Sequence, residues 1–90
     1  IPEYGVYAVH VQVNRGEWKQ GMANLGTQPT FGGRQFQIEV HLFDFSGDLY
    51  GEELTVAFVQ RIRSEKRFES LDQLVAQLQQ DRLQCQHVLS

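Results

Sequence analysis

FQIEVHLFDF, residues 36–45, alternates apolar with polar side chains. Phe36, Ile38, Val40 and Leu42 fall on one face of a period-two chain, and Gln37, Glu39, His41 and Phe43 fall on the other. That is the pattern of a β-strand, expected over Gln35–Phe45, with one face against a core. The polar face places a carboxylate, Glu39, beside an imidazole, His41. Either the pair is simply solvated, or it belongs to a site. In the second case a rigid strand would hold Glu39 within hydrogen-bond reach of a substrate hydroxyl as a general base. His41 would be a supporting hydrogen-bonding group, because no third member of a triad accompanies it.

The flanking segments repeat the strand theme. Tyr4–Val13 is dense in β-branched and aromatic residues, and Asn14–Gly16 supplies turn chemistry after it. Glu17–Asn24 reads as a returning strand interrupted by Gly21, a residue that marks a bulge or a close backbone approach. Leu25–Arg34 (LGTQPTFGGR) is expected to be a long, shaped loop. After a turn at Ser46–Asp48, Glu53–Ile62 alternates again, with Leu54, Val56 and Phe58 facing one way. Arg63–Phe68 is a charged connector. Ser70 then opens S-x-x-Q, a capping box. Leu71, Leu74, Val75 and Leu78 follow at i, i+3, i+4 and i+7, a stripe expected to dock on the sheet. These elements imply an all-β domain with strands over about 4–62 and a helix over about 71–85. A small antiparallel β-barrel with one C-terminal helix is expected, since closure removes exposed sheet edges.

Ninety residues make one domain, and an apolar share of 41% supports a core. A net charge of −3 disfavours non-specific nucleic-acid binding, which needs clustered positive charge. The single cysteine, Cys85, can form no internal disulfide, and no Cys/His spacing suggests zinc. No apolar run reaches the roughly 20 residues that span a bilayer, so no membrane partner is expected and the cytosol is the expected compartment. The chain begins at Ile1 without an initiator Met and runs directly into a strand pattern, which suggests a piece of a longer protein. LGTQPTFGG could cradle a phosphate with its backbone N–H groups, or be only a shaped loop. Arg63 could hold a phosphate or stack on a planar ring. Trp18 and the tyrosines read as core or rim residues.

Taken together, GVYAVHV, ANLGTQPTFGG, IEVHLFDFSGDLYGEEL and VAFVQRIRSEKRFESLDQL resemble the riboflavin kinase module of bacterial bifunctional riboflavin kinase/FMN adenylyltransferases. G-T-x-P-T-F, E-V-H-L-x-D-F, D-L-Y-G and R-x-R-x-E-K-x-F occur in the family's order and cover nearly the whole chain. The resemblance implies a barrel closed by a C-terminal helix, and transfer of the ATP γ-phosphoryl to the riboflavin 5′-hydroxyl to give FMN. The parent protein would also adenylylate FMN to FAD through a separate N-terminal adenylyltransferase domain. The resemblance places the catalytic carboxylate on Glu39. It implies nucleotide contacts at Asp44, Phe45, Asp48 and Tyr50, phosphate-side positions at Asn24, Gly26 and Thr27, and flavin contacts at Arg63 and Glu65. Magnesium is implied, but the family's Pro-Thr-Ala-Asn ligands lie upstream of these residues; Pro29-Thr30-Phe31 belongs to a later loop and is not their substitute. Little or no kinase activity is therefore expected of the 90 residues alone; the barrel is expected to be incomplete here, its missing strands leaving an exposed sheet edge that favours self-association. A non-catalytic flavin- or nucleotide-binding module is the alternative.

Overall fold

The computed structural model describes residues 3–90. Four strands, β1 (Gly5–Val13), β2 (Trp18–Thr30), β3 (Gly33–Leu42) and β4 (Leu54–Arg63), precede one helix, α1 (Leu71–Leu89). Every strand pairing is antiparallel, and the sheet order is β3-β2-β1-β4. The antiparallel sheet with a C-terminal helix matches the sequence expectation. Closure into a barrel does not occur among the described residues, because β3 and β4 lie at opposite ends of that order and closure would require them to meet.

The sheet has two differently used faces. Tyr7, Val9 and Val11 alternate along β1 and cluster with Ala23, Leu25 and Leu42 from β2 and β3. Leu54 and Val56 of β4 pack against that cluster, and Tyr7 meets the Phe58 ring edge-on at 5.2 Å. The apolar face thins toward β3, where Phe36 and Ile38 are each 46% exposed, so the alternation of 36–42 is present but only its Leu42 end is buried. Trp18, Tyr4 and Tyr50 are exposed, and Tyr7 alone of the tyrosines joins the core.

The segment Leu25–Arg34 is not a loop. β2 continues through it to Thr30, the chain turns at Phe31-Gly32, and β3 returns from Gly33. Gly32 takes a φ of 89°, which a side chain would resist at the tip. β1 reaches only as far as the Gly5–Leu25 pair, so β2 beyond Leu25 has β3 on one side alone. There Pro29 is tolerated as at any sheet edge. Gly21 does mark a close approach: a Cβ at that position would stand 2.5 Å from the His41 carbonyl oxygen across the β2–β3 pair.

The helix starts where the sequence indicates and docks where it does not. Ser70 Oγ accepts from Gln73 N at 3.1 Å, while Gln73 Oε1 accepts from Glu69 N at 3.2 Å, one residue before the usual reciprocal donor. α1 runs on to Leu89, four residues past the expected end at 85. The Leu71–Leu78 stripe does not pack on the sheet, since Leu71 is 72% exposed and Val75 44%. Asp81 and Cys85 are the buried helix positions, and Val88 and Leu89 pack with Cys85 against Ala8, Phe43, Met22 and Ile62. The C-terminal half of α1 is therefore the anchor, and the N-terminal half stands off from the sheet.

Cys85 sits fully buried at this anchor. Burial first, and the nearby Asp81 charge second, push its thiol up to about 11. A thiol reagent is therefore expected to modify Cys85 at least about 100-fold more slowly in the folded chain than in denaturant. Equal rates in the two states would contradict this packing. No helix among the described residues is long and apolar enough to cross a membrane.

Candidate functional site

Where the first turns of α1 stand away from the sheet, a groove of about 650 Å³ opens, within the size range of small-molecule sites. Its floor is the sheet face opposite the main core. Strand pairing sets Asn24 of β2 directly across from Glu39 of β3, and Met22 across from His41. All four side chains line the groove. Alternation places Glu39 and His41 there, because they point away from the face on which Val40 and Leu42 join the core cluster. The opposite wall is Leu74, Val75 and Leu78 of α1, the apolar stripe that lacks a partner in the sheet. Arg63, Glu65, Lys66 and Phe68 close one end.

That closing segment is fixed from several directions. Arg63 donates through Nε and Nη2 to the two oxygens of Asp81, at 2.9 and 2.8 Å, and through Nη1 to the Ser64 carbonyl at 3.0 Å. The Arg63 guanidinium also stands 6.0 Å from the Phe68 ring centre. Lys66 Nζ donates to Gln77 Oε1 at 3.2 Å, and Gln77 Nε2 donates in turn to Asp81 at 3.0 Å. Burial would raise the Asp81 carboxyl, but the hydrogen bonds from Arg63 and Gln77 and the charges of Arg63 and Lys66 outweigh it. The carboxyl ends up below its ordinary value. The Glu65 carboxylate lies over Gly26, in space that a side chain at that position would fill.

A smaller groove adjoins the first. It is lined by His41, Leu42, Asp44, Phe45, Ser46 and Arg82, and shares His41 and Arg82 with the larger one. Asp44 follows β3 with a φ of 54°, and its Oδ1 accepts from Arg82 Nη2 at 2.8 Å. Arg82 in turn lies 5.2 Å over the Phe43 ring, and His41 meets the same ring edge-on at 5.9 Å.

The residues singled out in the sequence thus separate into groups. Asn24, Glu39, His41, Arg63 and Glu65 meet in the large groove, with Gly26 beneath Glu65. Asp44 and Phe45 line the small one. Thr27, Asp48 and Tyr50 line neither: Thr27 Oγ1 accepts from Arg34 Nε at 2.8 Å, Asp48 Oδ1 accepts from Tyr50 N at 2.8 Å, and the Tyr50 side chain is fully in solvent. Sequence reasoning missed Asp81, Gln77, Phe68 and Arg82. The helix stripe was visible as periodicity, but periodicity does not distinguish a docked face from a groove wall. Among the described residues no three His, Cys, Asp or Glu side chains gather as a metal-ligand set.

A family model described as "Flavokinase: Riboflavin kinase" matches residues 1–89. The chain is 46% identical over 80 residues to a bifunctional riboflavin kinase/FMN adenylyltransferase of Haemophilus influenzae, covering 89% of this chain and 26% of that protein. The protein of the same description from Escherichia coli K12 is 48% identical over 82 residues, covering 91% of this chain and 26% of its own length. The Bacillus subtilis protein is 41% identical over 85 residues. The chain therefore spans about a quarter of the length of these curated relatives. A crystal structure described as a macrolide-efflux protein from Streptococcus pneumoniae superposes with a TM-score of 0.82 at 43% identity, over 91% of this chain and 27% of that one.

Proposed function

Because the chain belongs to the riboflavin kinase family, we propose that the large groove receives riboflavin and that Glu39 is the base for its phosphorylation to FMN. The observation that carries this is convergence. Glu39, Asn24, Arg63 and Glu65 meet on one groove whose helix wall presents Leu74, Val75 and Leu78, with the polar Gln79 and Arg82 beside them. A planar isoalloxazine suits the wall of Leu74 and Leu78 and the Phe68 ring, while the ribityl chain runs over the polar floor. At its end Glu39 accepts the 5′-hydroxyl proton as that oxygen bonds to the γ-phosphorus of ATP, and the bond from that phosphorus to the bridging oxygen breaks to release ADP. The nucleotide lies toward Asp44 and Phe45, across the His41/Arg82 boundary shared by the two grooves. Asp48, Tyr50 and Thr27 act further out, on the nucleotide and phosphate side.

Magnesium would neutralise the phosphates; among the described residues no three His, Cys, Asp or Glu side chains gather to hold it. The 90-residue chain is accordingly proposed to bind flavin while forming little FMN unaided. Adenylylation of FMN, named for the relatives, is assigned to a part of those proteins outside the quarter that this chain matches. The test is a chimera in which this chain replaces its matching segment in the Escherichia coli relative. Expected is ATP-dependent FMN formation within about tenfold of the unaltered relative; a soluble, folded chimera that neither binds riboflavin nor forms FMN would defeat the proposal.

Two further outcomes follow from the same geometry. Gly26→Ala must displace the Glu65 carboxylate, the far end of a flexible side chain. Stability should change by less than about 1 kcal/mol, while riboflavin affinity falls several-fold. A large drop in melting temperature with unaltered affinity would contradict this. The open ends of the sheet, with Phe36 and Ile38 half-exposed on β3, should make the chain self-associate. Sedimentation at rising concentration is expected to show a growing dimer fraction, and a monomer at every concentration would count against it.

A further inference from the structure

Asp81 raises a question that helix docking alone does not answer. It is only 1% exposed, on a helix face that otherwise anchors through Cys85, Val88 and Leu89. A buried ion pair is a poor way to glue a helix to a sheet, because desolvation offsets most of the attraction and an apolar pair of similar size packs at least as well. A bidentate guanidinium–carboxylate pair does add direction, since two parallel hydrogen bonds fix both planes. Here the plane so fixed belongs to Arg63, the last residue of β4 and the first support of the segment that closes the groove.

We infer that Asp81 is a positioning residue: by holding Arg63 and Gln77 it sets residues 64–68 across the groove mouth, and so sets how tightly the groove grips its ligand. The hydrogen bonds, together with the backbone from Ser64 to Lys66, form a closed circuit. Asp81 takes Arg63, Arg63 holds the Ser64 carbonyl, Lys66 reaches Gln77, and Gln77 returns to Asp81. Within the span so pinned, Glu65 lies over Gly26 and Phe68 lines the groove. Asp81 does not itself line the groove, so its influence passes through the residues it orients. The part of the inference that concerns ligand grip rests on the groove being the riboflavin site; the part that concerns residues 64–68 does not.

The test uses the 90-residue chain and its Asp81→Asn and Asp81→Glu variants at a temperature where circular dichroism shows each fully helical. Two quantities are read: the rate of tryptic cleavage after Lys66 and Arg67, and the riboflavin dissociation constant from flavin fluorescence. For Asp81→Asn, cleavage at those two sites is expected to rise about tenfold and the dissociation constant to rise about tenfold, with Asp81→Glu in between. A role confined to stability would lower the melting temperature and leave both quantities unchanged in the folded molecules. That result would overturn the inference, as would equal acceleration at the distant Arg15 and Lys19 sites. If Asp81→Asn does not fold, Arg63→Lys keeps the charge but cannot make two parallel bonds, and the same criteria apply to it. A wild-type chain that binds no riboflavin would speak against the proposed function, and the cleavage rates would still decide whether Asp81 positions residues 64–68.

Discussion

Replacing Glu39 by Gln in the chimera is expected to lower kcat for FMN formation by about 10²–10⁴-fold while the riboflavin dissociation constant stays within about threefold. Gln keeps the shape and hydrogen-bonding reach of the side chain but cannot take a proton. A primary alcohol is a weak nucleophile, so the loss should fall on the chemical step. The structure supports this separation of effects. Glu39 is exposed on the groove floor, opposite Asn24, so its removal leaves no buried group unpaired and no cavity. The apolar wall of Leu74, Val75 and Leu78, which would bind the ring, is untouched. Should Glu39→Gln turn over at the wild-type rate, Glu39 is a solvated strand residue, and the base must be sought elsewhere in the groove.

Asp81→Ala is expected to destabilise the folded chain by about 3–5 kcal/mol, measured by thermal or urea unfolding. The loss is large because the Arg63 side chain is only 19% exposed and would keep its charge with its main partner gone. The native Asp81 carboxyl lies below its ordinary value, so the folded state favours the ionised form. Its contribution to stability is therefore fully present above the unfolded carboxylate value, near pH 4, and is lost as the pH falls through the lowered native one. Wild-type stability should fall steeply below about pH 4, and Asp81→Ala should show a shallower decline there. Parallel acid profiles for the two proteins would contradict the assignment.

Much of the fold was legible because strands with one buried face announce themselves. The strand at Tyr4–Val13, the Asn14–Gly16 turn and the Ser70 cap lie where the pattern puts them, and the strand expected over Gln35–Phe45 is present but ends at Leu42, before the Asp44 turn. The failures have physical causes. Leu25–Arg34 carries the Gly, Pro and Thr content of a loop, but pairing with β3 across a Gly32 turn overrides that local preference. The docking face of α1 was hidden because its central residue is charged, and only a partner 18 positions away, Arg63, makes burial of Asp81 tolerable. Among the candidate site residues, Glu39 and Arg63 drew attention through their strand and connector, and the resemblance added Asn24 and Glu65. Convergence could not be read there, since it depends on β2–β3 register and on the standoff of a helix. Arg63 shows the difference most clearly: chosen for a planar ligand, it spends three of its donors on Asp81 and Ser64.

The most direct test of the central claim is a riboflavin titration of the ¹⁵N-labelled chain followed by amide chemical shifts. The groove account predicts the largest changes at Asn24, Glu39, Glu65, Phe68, Leu74 and Leu78, on the helix side of the sheet. Changes concentrated instead at Tyr7, Val11, Phe36 and Phe58, on the opposite face, would contradict it.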